Sequence, residues 1–173
     1  MSAGQGSRRT WGWHPLTDEW AASIVADAGV RPGELVLDIG AGDGALTGAL
    51  VRSGARVLAV ELHQGRADRL AGRFAGANVS VLHLDALDLR LPARPFRVVA
   101  SPPYGISSAL LRLLTAPRSR LMAADLVLQR AVVRRWAGGT PTRWTAEAGR
   151  SLPRRAFRVP PKVDSGVLVI RRR

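Results

Sequence analysis

Residues 35–47, Leu35-Val36-Leu37-Asp38-Ile39-Gly40-Ala41-Gly42-Asp43-Gly44-Ala45-Leu46-Thr47, decide the fold. A short, mostly apolar run ends in glycines at every second position, and a helix-compatible stretch follows. Glycine is the residue that lets backbone turn sharply at a strand end and approach a ligand closely. A strand–turn–helix of this kind opens a parallel α/β sheet.

Working outward, the same alternation recurs. Thr17 reads as the cap of a helix with Asp18 and Glu19 in its first turn, where carboxylates suit the positive end of the helix dipole. Trp20, Ala21, Ile24, Val25 and Ala28 form its apolar face, and Gly29 stops it. Helices are expected over 44–53, around Ala67 to Phe74, and over 106–116, the last ended by Pro117. Strands are expected at 57–60, 79–82, 96–100 and 122–128. A Pro- and Arg-rich loop from Leu152 to Lys162 then leads into Val167–Ile170, which is expected to return antiparallel on the sheet edge. The expected class is α/β: a mostly parallel sheet with helices on both faces and an antiparallel edge strand.

Composition narrows the partners. The chain has 173 residues, 46% hydrophobic and 23% charged, which excludes wholesale disorder and leaves room for a core. It has no cysteine, so disulfides, thiolate metal sites and a cysteine nucleophile are excluded. The longest charge-free stretch, Val98–Leu111, is interrupted by Pro102, Pro103 and Gly105 and is too short to span a bilayer. The first ten residues lack an apolar signal core, so the cytoplasm is the expected compartment. Net charge is +13 and unevenly placed. Residues 1–111 hold 11 arginines against 10 acids; residues 112–173 hold 15 basic residues against Asp125, Glu147 and Asp164. Codon usage explains 25 arginines to one lysine, but not the loss of acids after residue 111. A polyanionic partner, nucleic acid above an anionic membrane, is implied.

Three strand ends describe a ligand. In the glycine turn the third glycine comes one residue early for a dinucleotide fingerprint, and Asp43 sits where a diphosphate would be repelled. Glu61 ends the second strand, placed to accept from ribose hydroxyls, and Asp85 follows the third, placed to accept from an adenine amine. An adenosine ligand without phosphates fits Gly40, Gly42, Glu61 and Asp85, and S-adenosylmethionine fits best. A dinucleotide and a purely structural glycine turn are the alternatives. The fourth strand runs into Ser101-Pro102-Pro103-Tyr104, which holds the chain's only tyrosine. Two prolines fix the angle of that ring, on which a planar base can stack. Ser101 and the Pro102 carbonyl can accept from an exocyclic amine and turn its lone pair toward a methyl donor.

The set resembles the rRNA adenine-N6 methyltransferase family, which includes the Erm macrolide-resistance enzymes and KsgA-type dimethylases. Residues 37–47 are similar to its first motif, Val60-Glu61 to its ribose motif and Asp85-Ala86-Leu87 to its adenine motif. Leu128-Gln129-Arg130 resembles the segment after the fifth strand. Phe157 with Pro160-Pro161-Lys162-Val163-Asp164-Ser165 resembles the late loop near the active-site mouth. Gly12-Trp13-His14-Pro15-Leu16 resembles the stretch that closes over the cofactor, with Trp13 and Pro15 in place of Gln and Phe. The family usually has Asn where this chain has Ser101; Ser-Pro-Pro-Tyr is common in enzymes acting on cytosine N4. The family's C-terminal helical domain has no counterpart by residue 173, so the chain resembles a short Erm-type 23S rRNA methyltransferase.

The resemblance implies one Rossmann-like catalytic domain over 1–173, with 1–16 as a cofactor-closing arm, acting as a monomer with S-adenosylmethionine and no metal. It implies Ser101, Pro102 and Tyr104 as catalytic residues, and His14, Leu16, Gly40, Gly42, Glu61, Asp85 and Ser101 at the cofactor. The implied substrate is the adenine of the peptidyl-transferase loop of 23S rRNA, naked or in a subunit precursor, whose methylation confers resistance to macrolides, lincosamides and streptogramin B. Another rRNA base, cytosine N4 included, and a silent rRNA-binding relative are the alternatives. Arg130, Arg134 and Arg135 at helical spacing, and Arg154, Arg155 and Arg158 on the late loop, are expected to meet RNA phosphates. Arg8, Arg9, Trp11 and Trp13 form a basic-aromatic segment suited to unpaired bases or to packing.

Overall fold

The computed structural model describes residues 13–139 and 143–173; the readings on Arg8, Arg9, Trp11 and Gly12 lie outside them. The described residues include five α-helices, three short 3₁₀ turns and seven strands. In chain order the helices and strands are α1 (Asp18–Ala28), β1 (Leu35–Ile39), α2 (Ala45–Arg52), β2 (Arg56–Glu61), α3 (Gln64–Arg73), β3 (Val79–His83), β4 (Phe96–Ala100), α4 (Ser107–Leu114), β5 (Leu121–Gln129), α5 (Arg130–Trp136), β6 (Trp144–Leu152) and β7 (Ser165–Arg172).

The strands form one sheet in the order β3-β2-β1-β4-β5-β7-β6. β1 to β5 pair in parallel, while β7 runs against both β5 and β6. This is a Rossmann-like sheet with one reversed strand beside its edge.

One expectation needs correcting. The reversed strand is β7, as read, but it is not the edge: β6 lies outside it. Strand β6 escaped the sequence reading because only Trp144, Ala146 and Leu152 of its nine residues are buried. Its polar positions, Glu147, Arg150 and Ser151, suit an edge facing water, and its pairing slips between Ala148 and Ser151.

Period-two alternation sends side chains to both faces of the sheet. Val36, Val57, Val99 and Val127 pack under α1 and α2 with Ile24, Val25, Leu46 and Leu50. Leu37, Ile39, Val98 and Leu126 pack on the other face with Leu110, Leu111, Leu114 and Val133 of α4 and α5. Thr17 caps α1 by accepting from the Trp20 amide, and Gly29 ends it in the left-handed conformation. With both faces covered, function is left to the strand ends. The order reverses between β1 and β4, and in such sheets the ligand crevice opens at that point, outside the carboxyl ends of the strands.

Candidate functional site

A cavity of about 670 Å³ lies over those carboxyl ends, within the usual range for small-ligand sites. His14, Leu16, Gly40, Gly42, Glu61, Asp85 and Ser101 all line it, together with Trp13, Asp38, Pro103 and Arg158. Pro102 and Tyr104, the other sequence candidates, do not line it. Pro102 is buried, and Tyr104 is half-buried with its ring 5.7 Å from that of His14.

The glycine turn is held by β2. The Gly40 and Ala41 amides donate to the Val60 carbonyl at 2.8 and 3.0 Å, and the Gly42 amide donates to Glu61 Oε1 at 2.9 Å. Amides that would cradle a pyrophosphate are therefore spent inside the protein, which argues against a dinucleotide. Glu61 Oε2 accepts from the His63 amide at 2.8 Å. Each carboxylate oxygen then keeps a lone pair for a hydroxyl donor. Asp85 is exposed and, among the described residues, spends only Oδ1, on the Leu87 amide at 2.9 Å. At Gly40, with φ of 77°, a Cβ would meet Pro103 Cδ at 3.0 Å and Pro102 Cα at 3.3 Å. The glycine turn and the Ser101–Tyr104 turn thus touch backbone to ring across the switch point.

One buried residue of the lining was given no role in the sequence reading. Asp38 is 1% exposed; its Oδ2 accepts from the Thr47 hydroxyl at 2.7 Å, while its Oδ1 is buried with no partner among the described residues. An orphaned buried acceptor costs about 1–3 kcal/mol unless a ligand satisfies it. Burial, with the nearby Glu61 charge adding to it, raises Asp38 from the ordinary 3.8 to about 7, against the opposing Thr47 hydrogen bond. The orphaned carboxylate, the two acids Glu61 and Asp85 in the cavity lining, and the glycine turn with no room for side chains fit S-adenosylmethionine, which is cationic and lacks phosphates. Asp43, the acid of the turn that would repel a diphosphate, also lines the cavity and is exposed.

A pH dependence follows. A cation favours ionised Asp38, so affinity for S-adenosylmethionine should rise about tenfold between pH 6 and pH 8 and then level off. Calorimetric titration across that range checks this, and Asp38→Asn should flatten the profile. The free protein has the opposite trend. Its raised Asp38 pKa contributes stability that is lost as pH climbs from about 4 to about 7.

The N-terminal segment closes one side. Leu16 bridges to Phe157, the Thr17 amide donates to the Ala156 carbonyl at 2.9 Å, and the Arg158 amide donates to the Pro15 carbonyl at 2.8 Å. Trp13 sits so close to the glycine turn that a Cβ on Gly42 would lie 3.0 Å from its Nε1. The Arg66 guanidinium stacks over the Trp13 ring at 4.1 Å. Trp13 therefore packs against the glycine turn instead of standing free for a base.

The arginines divide. Arg130, Arg134, Arg135, Arg154, Arg155 and Arg158 are all exposed. Arg158 pairs with Asp18 at 3.3 Å on the cavity rim, Arg154 donates to the Pro161 carbonyl at 3.0 Å, Arg130 pairs with Asp164 at 3.7 Å, and Arg135 donates to Ser108 at 3.0 Å. Among the described residues no helix is long and apolar enough to cross a membrane, and no His/Asp/Glu group is placed to hold a metal ion.

Fold and cleft define an S-adenosylmethionine-dependent methyltransferase architecture. Residues 5–173 match the profile of ribosomal RNA adenine dimethylases, and the chain belongs to that family. It is 37% identical to an rRNA adenine N-6-methyltransferase of Corynebacterium diphtheriae, over 99% of this chain and 71% of that protein. It is 36% identical to the mycinamicin-resistance protein MyrB of Micromonospora griseorubida, over 97% of this chain and 57% of that one. Other relatives carry the name ribosomal RNA small subunit methyltransferase A. The crystal structure of the 23S rRNA methyltransferase ErmE superposes with a TM-score of 0.81 at 34% identity, covering 92% of this chain and 70% of ErmE. The chain thus spans between about half and seven tenths of the length of such relatives.

Proposed function

We propose that this chain methylates the N6 amine of an adenine in the peptidyl-transferase loop of 23S rRNA and so confers macrolide, lincosamide and streptogramin B resistance. It would work as a single monomeric catalytic domain in the cytoplasm. The observation that carries this reading is the contact of Gly40 with Pro102 and Pro103, which sets Ser101 in the same cleft as Glu61 and Asp85. Likeness to MyrB and to ErmE favours the 23S target and resistance.

S-adenosylmethionine, when bound, supplies an electrophilic methyl; Glu61, Asp85 and Asp38 would hold its ribose, its adenine and its cationic tail. The acceptor adenine leaves its stack and presents a face to Tyr104. Ser101 and the Pro102 carbonyl accept from its amine, which leaves the nitrogen lone pair facing into the cleft. No strong base is required, because the rate comes from positioning and electrostatics. Methylation removes amine donors and adds bulk where the drug binds.

The test is transfer of labelled methyl from S-adenosylmethionine to 23S rRNA, naked and in subunit precursors, mapped by primer extension. A stop at the macrolide-binding adenine supports the reading; label only in 16S rRNA would move the substrate to the small subunit. Ser101 favours a second reading, cytosine N4, since its hydroxyl reaches less far than the usual carboxamide. Nuclease digestion and mass analysis of the labelled nucleoside separates the two. Failure to bind S-adenosylmethionine would leave a silent RNA-binding relative.

We assign RNA phosphates to the arginine patch. Arg134→Glu with Arg155→Glu should raise the KM for RNA about tenfold and reduce the slope of log affinity against log salt by about 1.5, since each lost phosphate contact removes about 0.7–0.9. Filter binding at several salt concentrations reads this, and an unchanged slope would make both residues plain surface. Arg154 is a poorer probe because it also braces the Pro161 carbonyl.

A further inference from the structure

Tyr104 and Ser165 are 61 residues apart, and their hydroxyl oxygens lie 2.6 Å from each other. We propose that Ser165 is a positioning residue that fixes the ring angle of Tyr104, and through it the seat of the acceptor base. This rests on the reading of Tyr104 as the base-stacking residue.

The two ends of the contact differ in what holds them. Ser165 opens β7, is 3% exposed, and is in register with Gln129 of β5 and Leu152 of β6. Its hydroxyl is therefore carried by three hydrogen-bonded strands. Just before it, the Asp164 carbonyl accepts from the Arg130 amide at 2.8 Å, which pins the end of the late loop at the start of α5. Tyr104 instead sits in a single 3₁₀ turn, Tyr104–Ile106, after the two prolines. Proline fixes the approach of the chain but leaves the tyrosine's own torsions free. A swing of roughly 30° about χ1 carries a phenol oxygen out of hydrogen-bond range, so the bond to Ser165 selects one ring orientation. His14 supports the ring from another element, tilted 37° to it, and its Nδ1 lies 3.1 Å from the Val159 carbonyl.

A bond that only satisfied the buried tip of a tyrosine would affect stability and leave turnover alone. The expectation here is different. Ser165→Ala should lower kcat for methylation of 23S rRNA about tenfold, with the KM for S-adenosylmethionine within twofold of wild type. Tyr104→Phe should produce the same fall, and the double variant should fall no further, because either change deletes the same bond. Ser165→Thr, which restores a hydroxyl, should recover most of the rate. Tyr104 is the only tyrosine in the chain, so ring-labelled tyrosine gives one NMR spin system. Wild type should show contacts between that ring and His14, and Ser165→Ala should lose them. A kcat within twofold of wild type for Ser165→Ala, or unchanged contacts to His14 in that variant, overturns the proposal. If wild type methylates no rRNA, the proposed function fails, while the NMR contacts still decide whether Ser165 holds the ring.

Discussion

Tyr104→Ala is expected to reduce methyl transfer about 100-fold or more while leaving the Kd for S-adenosylmethionine within twofold. Stacking a base on an aromatic ring contributes about 1–3 kcal/mol, and losing the ring also frees the base to drift from in-line geometry, where misplacement by an ångström costs about another 100-fold. Cofactor affinity should survive because Tyr104 does not line the cavity over the glycine turn. Single-turnover methylation and calorimetry on the same variant separate the two quantities. Turnover near the wild-type rate would remove the stacking role.

Glu61→Ala should have the opposite signature, with the larger loss in cofactor binding. The substitution deletes the acceptor of the Gly42 and His63 amides along with the proposed ribose contact. Hydrogen bonds to a charged group are worth about 1.5–3 kcal/mol each, so the Kd for S-adenosylmethionine should rise about 100-fold or more. Glu61→Gln keeps one acceptor oxygen and should fall between the two. Calorimetry reads the difference, and a Kd within threefold of wild type for Glu61→Ala would exclude a ribose role. Opposite signatures at Tyr104 and Glu61 would assign acceptor and cofactor to different walls of one cleft.

What was legible in the sequence is what depends on local pattern. Val36-Leu37 and Val98-Val99 read as strands because buried strands are apolar on both faces. Glu61 and Asp85 were found because each stands at a predicted strand end. The rest depended on contacts between distant segments. Asp38 reads as one more acid near a turn; its orphaned oxygen follows from burial on all sides and from a threonine returning nine positions later. Trp13 read equally as a stacking or a packing residue, and only the closeness of its ring to the glycine turn and to Arg66 decides for packing. Strand β6 carries too few apolar positions to announce itself, and it exists as a strand because β7 offers it an edge. The exposure of Arg154 and Arg158 was readable, but their ties to Pro161 and Asp18 were not.

The place of β7 in the sheet also governs when the protein can work. Of the seven strands it leaves the ribosome last, yet its place is between β5 and β6. Until it arrives, β5 has a bare flank and β6 has no neighbour in the sheet at all, a state that invites pairing with other nascent chains. The half of the sheet that leads into Gly40, Glu61, Asp85 and Ser101, β1 to β4, contains its own partners and can assemble during synthesis. Ser165 belongs to the late strand, so the ring of Tyr104 gains its tether only with that final insertion. Competence to bind the methyl donor should therefore precede competence to transfer it, within the life of a single growing chain.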